Sequence, residues 1–362
     1  MARHFHQLKV NDIRPETDSC VSVSFDIPAD LKDLFAFKQG QNITVKATIE
    51  GEDLRRSYSI CSSPFENELR IAVKKVDHGK FSAWINHRLK AGDMVEVLPP
   101  TGQFFTALDP TNQKHYIAFA AGSGITPLLS IIKTTLSTEL NSRFTLFYGN
   151  QNRQSIIFRE ELEAIKNLYM CRFAVHHILS RETTEFPLYQ GRITEEKCVA
   201  IFNHLVKLES CDEFFLCGPE AMISTVKNYL QKAGVDTSKI HFELFTTPGS
   251  KTAAAENKEA ISVSSGNEKF SIVTIYTDGT SFNINLPYSG ASILDAALAA
   301  GADLPFACKG GVCATCRAKL VAGEIYMDNN YALEPEEVKN GYILTCQSHP
   351  RSEKISVDYD LK

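Results

Sequence analysis

Residues 116–132 read YIAFAAGSGITPLLSII, the longest uncharged stretch of the chain. Its 17 residues only touch the lower end of the roughly 17–25 that a membrane-spanning helix needs. The centre holds Gly122, Ser123, Gly124, Thr126 and Pro127, which is a poor membrane helix. It is a good buried strand, glycine turn and helix start, because proline is tolerated in a first helical turn. Strand, glycine loop and helix together open a parallel α/β sheet.

The same rhythm continues downstream. Runs FTLFYG, RFAVHHIL, EFFLCG and HFELF alternate with helical patterns over residues 127–138 and 159–168, so residues 107–247 are expected to form an α/β parallel-sheet domain. Upstream, residues 1–106 carry VSVSFDI, QNITVKATI, LRIAVKKV and DMVEVL between polar and Gly/Pro turns, with one helix expected at 82–90. Short strands punctuated by turns predict an antiparallel β-barrel. Residues 248–268, within TTPGSKTAAAENKEAISVSSGNEK, have no large apolar run and read as a flexible linker; a long surface loop is the alternative. The last segment, 269–362, opens with FSIVTIYTDGTSFNINL, a hairpin about Asp278-Gly279, followed by a short helix at 292–300. No internal repeat is visible.

Composition narrows the class. A chain of 362 residues is expected to hold two or three domains. With 43% hydrophobic and 22% charged residues it is neither disordered nor collagen-like. A net charge of −5 gives no basic field for nucleic acid. The ten cysteines would suit a secreted disulfide framework, but MARHFHQLKV at the start has no apolar signal core. A cytoplasmic location is therefore expected, where thiols stay reduced and a cysteine cluster points to metal or redox chemistry.

Cys308, Cys313 and Cys316 lie in CKGGVCATC, and Cys346 follows in LTCQSHP after 29 intervening residues. This is the C-x4-C-x2-C…C spacing of a plant-type 2Fe–2S site. Gly310 and Gly311 suit a loop that must turn tightly and aim N–H groups at sulfur. A structural zinc site usually pairs two short C-x2–4-C units, and only one is present. Residues 270–362 resemble the plant-type ferredoxins. That resemblance implies an α+β, β-grasp-like domain whose cluster passes one electron at a time. Residues 324–337, EIYMDNNYALEPEE, carry five acids and no base; they suit either a docking rim for a basic partner or a solvated loop.

In the barrel region, Arg55-Arg56-Ser57-Tyr58-Ser59-Ile60 is followed by Gly79-Lys80-Phe81-Ser82. The first offers a guanidinium for phosphate, an aromatic ring for stacking and hydroxyls for ring nitrogens. The second is a glycine turn into a helix start, an anion site in principle. Each alone is weak, since a serine at a helix start is usually a cap. Together, in this order, they resemble the flavin motifs of the ferredoxin–NADP reductase superfamily. The resemblance implies that Tyr58 stacks on the isoalloxazine, Ser57 and Ser59 lie near it, and Arg56 binds pyrophosphate with the backbone of Gly79, Lys80, Phe81 and Ser82. It also implies FAD rather than FMN.

Three loops follow strands of the α/β region, where such sheets bind ligands. Gly122, Gly124 and Thr126 belong to the first, which matches the superfamily's G-x-G-x-T-P loop for the dinucleotide phosphates. The second holds Ser180 and Arg181, with Tyr189 and Arg192 beyond. In NADP-using members a Ser-Arg pair here holds the 2′-phosphate and a tyrosine stacks on adenine; a surface arginine ending a strand is the plainer reading. The third, Cys217-Gly218-Pro219, matches the C-G-P loop that sets a thiol beside the nicotinamide, whereas a buried core thiol is the default. Glu243 and Phe245 stand on the strand that ends near the flavin in that superfamily. Tyr58, Ser59 and Cys217 are thus the expected catalytic residues.

A hydride brings two electrons, a 2Fe–2S cluster takes one, and a flavin can hold both and release them singly. The order of regions therefore implies an NAD(P)H-dependent reductase, with NADPH favoured over NADH. CKGGVCATCRAKL, MDNNYALE, GYILTCQSHP and the VDYD tail resemble the reductase subunits of phenylacetyl-CoA epoxidases, implying a separate di-iron oxygenase as electron acceptor. No carboxylate and Glu-x-x-His set of a di-iron bundle occurs in this chain. Ring-hydroxylating dioxygenases, demethylases and a hybrid-cluster protein are the alternative acceptors. A non-catalytic redox sensor is the alternative of another class, though no signalling or DNA-reading segment accompanies it.

Overall fold

A computed structural model describes residues 4–245 and 269–361. The linker expected at 248–268 lies outside the described residues. His6–Phe245 form one compact unit, and the C-terminal residues belong to a second.

The first unit begins with six antiparallel strands, β1 (His6–Thr17), β2 (Cys20–Asp26), β3 (Asn42–Ile49), β4 (Glu52–Ser59), β5 (Leu69–Lys74) and β6 (Met94–Thr101), with α1 (Lys80–His87) between the last two. They pair in the order β4-β3-β6-β1-β2-β5. Ile60, just past β4, bridges to Ile71 of β5, so the first strand meets the last and the sheet closes into a barrel. Its interior is lined by Leu8, Val10, Val23, Ile43, Val45, Ile71, Val73, Val95 and Val97, the alternating inward residues of these strands. Helix α1 starts two residues earlier than the sequence pattern suggests. Gly79 caps it, and a Cβ there would stand 2.8 Å from Ser82 Oγ.

Next come β7 (His115–Ala121), α2 (Ile125–Thr138), β8 (Arg143–Asn150), α3 (Arg159–Leu168), β9 (Phe173–Leu179), α4 (Glu195–His204), β10 (Glu213–Gly218), α5 (Glu220–Lys232) and β11 (Ile240–Leu244). The sheet is wholly parallel, ordered β11-β10-β7-β8-β9. Residues 116–132 fall on β7, a glycine turn and α2. No helix among the described residues is long and apolar enough to cross a membrane.

Helix α2 is buried on nearly every side because it lies between the sheet and the barrel. Ser130 Oγ donates to Ser62 O at 2.6 Å, and Thr134 Oγ1 meets Ser63 Oγ at 3.1 Å. Lys133 Nζ sits between Glu66 at 2.8 Å and Glu161 at 2.7 Å. These residues, at i, i+3 and i+4, share one helix face. Cys61, Ala72 and Phe104 of the barrel region enter the same apolar cluster as Tyr116, Leu128 and Phe215.

The second unit holds β12 (Phe270–Thr277), β13 (Thr280–Pro287), α6 (Ile293–Ala299), β14 (Arg317–Ala322), β15 (Ile325–Met327), α7 (Pro335–Lys339), β16 (Tyr342–Leu344), β17 (Ser348–Pro350) and β18 (Lys354–Asp358). The mixed sheet runs β13-β12-β18-β14-β16, with β12 and β18 parallel, and α6 packs on it through Ile293, Leu294 and Ala297. This is the α+β, β-grasp-like arrangement. Asp278 and Gly279, at φ 51° and 68°, turn the β12–β13 hairpin in two residues.

Candidate active site

In the parallel sheet the chain proceeds outward through β7, β8 and β9, then crosses back to β10 and β11 on the other side. Strand order reverses between β7 and β10, and ligands of such sheets bind at that crevice. Ala121, Asn150, Ser180, Gly218 and Phe245, each at or just past the carboxyl end of a different strand, line a cleft of about 820 Å³. Close backbone packing beside it depends on the absence of a side chain. A Cβ on Gly124 would lie 2.1 Å from Cys217 O and 2.4 Å from Cys217 C, so the turn after β7 rests directly on the last residues of β10. A Cβ on Gly218 would press on Met222 Cε at 2.9 Å. Thr126 is buried, and its Oγ1 donates to Ser123 O at 3.0 Å, bracing the same turn.

Three cations line the cleft beside the acids Glu195 and Glu196. Arg181 and Arg192 line it with Ser180. Lys74, from β5 of the barrel, lines it too, and a Cβ on Gly122 would be 3.7 Å from its Nζ. None of these three cations has an ion-pair partner among the described residues, which suits a ligand carrying phosphates at separated positions. Lys74 had no sequence signal, because its partner surface comes from another part of the fold. Tyr189, grouped with Arg181 by sequence, does not line this cleft. Its ring stacks on His176 at 5.9 Å and 12°, and its OH meets His176 Nδ1 at 3.2 Å, in a neighbouring cleft that includes Arg153 and Phe186.

The flavin motif lies on β4, at the end of the strand order. The pleat puts Arg56 and Tyr58 on one face, Ser57 and Ser59 on the other. Ser57 Oγ meets Thr44 Oγ1 across the strand pair at 3.1 Å. Tyr58 lies 6.1 Å from Phe81, whose own ring is buried in the barrel core and 5.8 Å from Trp84. The start of α1 is thereby held beside β4, tied again by Lys80 Nζ to Glu52 at 2.9 Å. Gly79 supplies no side-chain cap to α1, so first-turn N–H groups are left for an outside acceptor. Ser82 Oγ is committed locally, accepting from Val76 N and donating to Gly79 O. Arg56 donates from Nη1 to Arg55 O at 2.7 Å, leaving other donors of its guanidinium for a phosphate. A planar ring, a guanidinium and an uncapped helix start fit a flavin dinucleotide.

Barrel and sheet meet where Ser59 Oγ donates to Glu243 Oε2 at 2.9 Å. Glu243 on β11 pairs in register with Cys217 on β10. Burial, then the charge of Glu243, pushes the fully buried Cys217 thiol well above its ordinary range, so it stays protonated. Phe245 is 41% exposed at the mouth of the cleft.

In the second unit the four ligand-spaced cysteines come together in two touching pairs, Cys308 with Cys313 and Cys316 with Cys346. In each pair the hydrogen bond from its partner lowers one thiol, Cys313 in the first and Cys346 in the second. Among the described residues no three such ligands converge on one ion position. Two sulfur pairs, one for each iron, fit a 2Fe–2S centre. Gly310 N donates to Cys308 Sγ at 3.3 Å. Gly311 has φ 77°, and a Cβ there would meet Asn329 O at 2.8 Å. Gln347 Nε2 bonds both Lys309 O and Cys346 O at 2.9 Å, tying the first ligand loop to the last ligand. Of the five acids in 324–337, Glu337 pairs with Arg317 and Asp328 with His349.

Comparison with known proteins agrees with this architecture. Residues 7–106 match the oxidoreductase FAD-binding domain family, 119–228 the oxidoreductase NAD-binding domain family and 275–351 the 2Fe-2S iron-sulfur cluster binding domain family. The chain is 42% identical to one of the subunits of 1,2-phenylacetyl-CoA epoxidase from Escherichia coli (strain K12), over 99% of this chain and 98% of that one. It is 31% identical to the ferredoxin reductase component of 3-ketosteroid-9-alpha-monooxygenase from Rhodococcus rhodochrous, over 97% and 96%. Among solved structures it resembles phthalate dioxygenase reductase, with 26% identity, a TM-score of 0.58 and 98% of both chains covered. This chain belongs to the family of oxygenase reductase components that join FAD-binding, NAD-binding and 2Fe–2S domains in one polypeptide. It is an NAD(P)H-dependent oxidoreductase.

Proposed function

We propose that this chain takes electrons from NADPH and delivers them to a di-iron oxygenase that epoxidises the aromatic ring of phenylacetyl-CoA. The end-to-end 42% identity to the Escherichia coli epoxidase component carries this reading. When bound, FAD accepts a hydride and the 2Fe–2S cluster passes its electrons on one at a time. The chain's own residues supply position and charge. Arg56 and the uncapped start of α1 hold the flavin pyrophosphate, and Tyr58 stacks on the ring. The turn at Gly122 and Gly124 takes the dinucleotide phosphates together with Lys74. Arg181 and Arg192 hold the 2′-phosphate; a dianion opposite two unpaired guanidinium groups favours NADPH over NADH. Cys217, Glu243 and Ser59 border the place where nicotinamide meets flavin. Glu243 keeps Ser59 oriented, while a protonated Cys217 avoids a second charge there. Cys308, Cys313, Cys316 and Cys346 ligate the cluster.

Coupled turnover tests the acceptor. Purified holo-reductase, a phenylacetyl-CoA epoxidase oxygenase, NADPH and phenylacetyl-CoA are expected to consume NADPH in equal amount to epoxide formed. Rapid reduction of a ring-hydroxylating dioxygenase, with none of the di-iron protein, would transfer the proposal to that acceptor. No NADPH oxidation with any one-electron acceptor would favour the sensor reading.

A further inference from the structure

The VDYD tail of the chain takes no part in the site described above, yet its tyrosine reaches a cluster-ligand segment. Tyr359, 8% exposed, sits one residue past β18. Its OH is 2.6 Å from Oγ1 of Thr345, which is wholly buried and immediately precedes Cys346. Thr345 Oγ1 in turn donates to Cys316 O at 3.0 Å, and Thr345 N donates to the same carbonyl at 3.3 Å. A hydroxyl has one proton. Thr345 spends its own on Cys316 O, so Tyr359 must be the donor to Thr345. The result is a one-directional chain, Tyr359 O–H to Thr345 O–H to the Cys316 carbonyl, and bonds in such a chain polarise and strengthen one another.

Cys316 and Cys346 form one of the two sulfur pairs, and they come from segments far apart in sequence. Gln347 ties Cys346 to the loop of Cys308; the Thr345 clamp ties it to the backbone of Cys316. We propose that Tyr359 is a positioning residue for the 2Fe–2S centre, setting through Thr345 the relative placement of the Cys316 and Cys346 ligands. This rests on the reading of those two cysteines as ligands. The tail then acts as part of the redox site from behind the ligand loop.

The test uses full-length protein loaded with FAD and cluster. Tyr359→Phe keeps the ring and removes the donor; Thr345→Val removes the clamp; Thr345→Ser keeps its hydroxyl. Cluster loss to a chelator, followed by visible absorbance, is expected to be roughly fivefold faster in Tyr359→Phe and tenfold or more in Thr345→Val, the scale of one and two hydrogen bonds. Thr345→Ser should stay within about twofold of wild type. Electron paramagnetic resonance of the reduced cluster should broaden in Tyr359→Phe and return to wild-type shape in Thr345→Ser. A wild-type loss rate and spectrum for Tyr359→Phe overturns the proposal. So does faster loss with an unchanged spectrum and a matching rise in amide exchange across the domain, which would mark ordinary packing. Cys346→Ser is the control on the premise: bleached visible absorption supports the ligand reading, and an unchanged spectrum overturns that reading and this inference together.

Discussion

Gly124→Ala adds one methyl group at the crevice between β7 and β10. Its Cβ would lie 2.1 Å from Cys217 O, where ordinary contact begins at 3.4 Å, so the two backbones must part by about 1.3 Å. The obstacle is backbone on both sides, and no flexible side chain can swing away. The turn after β7 and the end of β10 that carries Cys217 would both shift. A misplacement of about 1 Å costs on the order of a hundredfold in a reaction that depends on alignment, near 2.7 kcal/mol of barrier. Anaerobic stopped-flow reduction of the bound flavin by NADPH should therefore slow by about that factor. Photochemical reduction of the flavin and the visible spectrum of the cluster should remain unchanged, since neither uses the crevice. Flavin reduction within threefold of wild type, in a protein shown to retain FAD, would refute the claim that this backbone contact aligns the nicotinamide.

Arg181→Ala and Arg192→Ala should each raise KM for NADPH by about tenfold or more and leave NADH within twofold, since a charge-assisted bond to phosphate is worth about 1.5–3 kcal/mol; equal effects on both nucleotides would remove them from the 2′-phosphate. Lys133→Met strips the shared cation from Glu66 and Glu161 where only 13% of the lysine side chain is exposed. The two glutamates are 41% and 38% exposed, so losing their partner should destabilise His6–Phe245 by only about 1 kcal/mol, lowering the urea midpoint for FAD release, whereas an unchanged midpoint would make the triad ornamental. Burial depresses His115 from 6.5 to about 4, so the unfolded chain binds the extra proton first and stability present above pH 6.5 is lost as pH falls toward 4. That loss amounts to roughly 3 kcal/mol; His115→Gln should flatten the urea midpoint against pH over this window, and an unaltered slope would assign the acid sensitivity elsewhere.

What was legible in the sequence was local. The spacing of Cys308, Cys313, Cys316 and Cys346 is set by ligand geometry, so it reads directly. Residues 116–132 announced strand, turn and helix because glycine and proline constrain the backbone wherever they stand. The hairpin at Asp278-Gly279 was visible for the same reason. The barrel's strand order was not, since alternation of apolar residues specifies a face and says nothing of the neighbour. Long-range partnership hid the rest. Lys74 is an ordinary strand-end lysine until the fold sets it beside Gly122. Tyr189 follows Arg181 closely along the chain, and its stacking on His176 came only with the fold. The hydroxyl of Ser82 is engaged with its own helix start, a local bond that leaves the backbone reading of Gly79–Ser82 untouched. Tyr359 stood in the sequence only as part of the VDYD resemblance, because its partner Thr345 reaches it only through the tertiary fold.

The apolar cluster that mixes Cys61, Ala72 and Phe104 with Tyr116 and Phe215 has a consequence for anyone recombining such reductases. A crossover near residue 106, where one family match ends, would split a shared interior and leave both halves with unmatched packing surfaces. A crossover just past Phe245 would leave it whole. Because of that shared interior, the flavin barrel and the parallel sheet would have to be exchanged together.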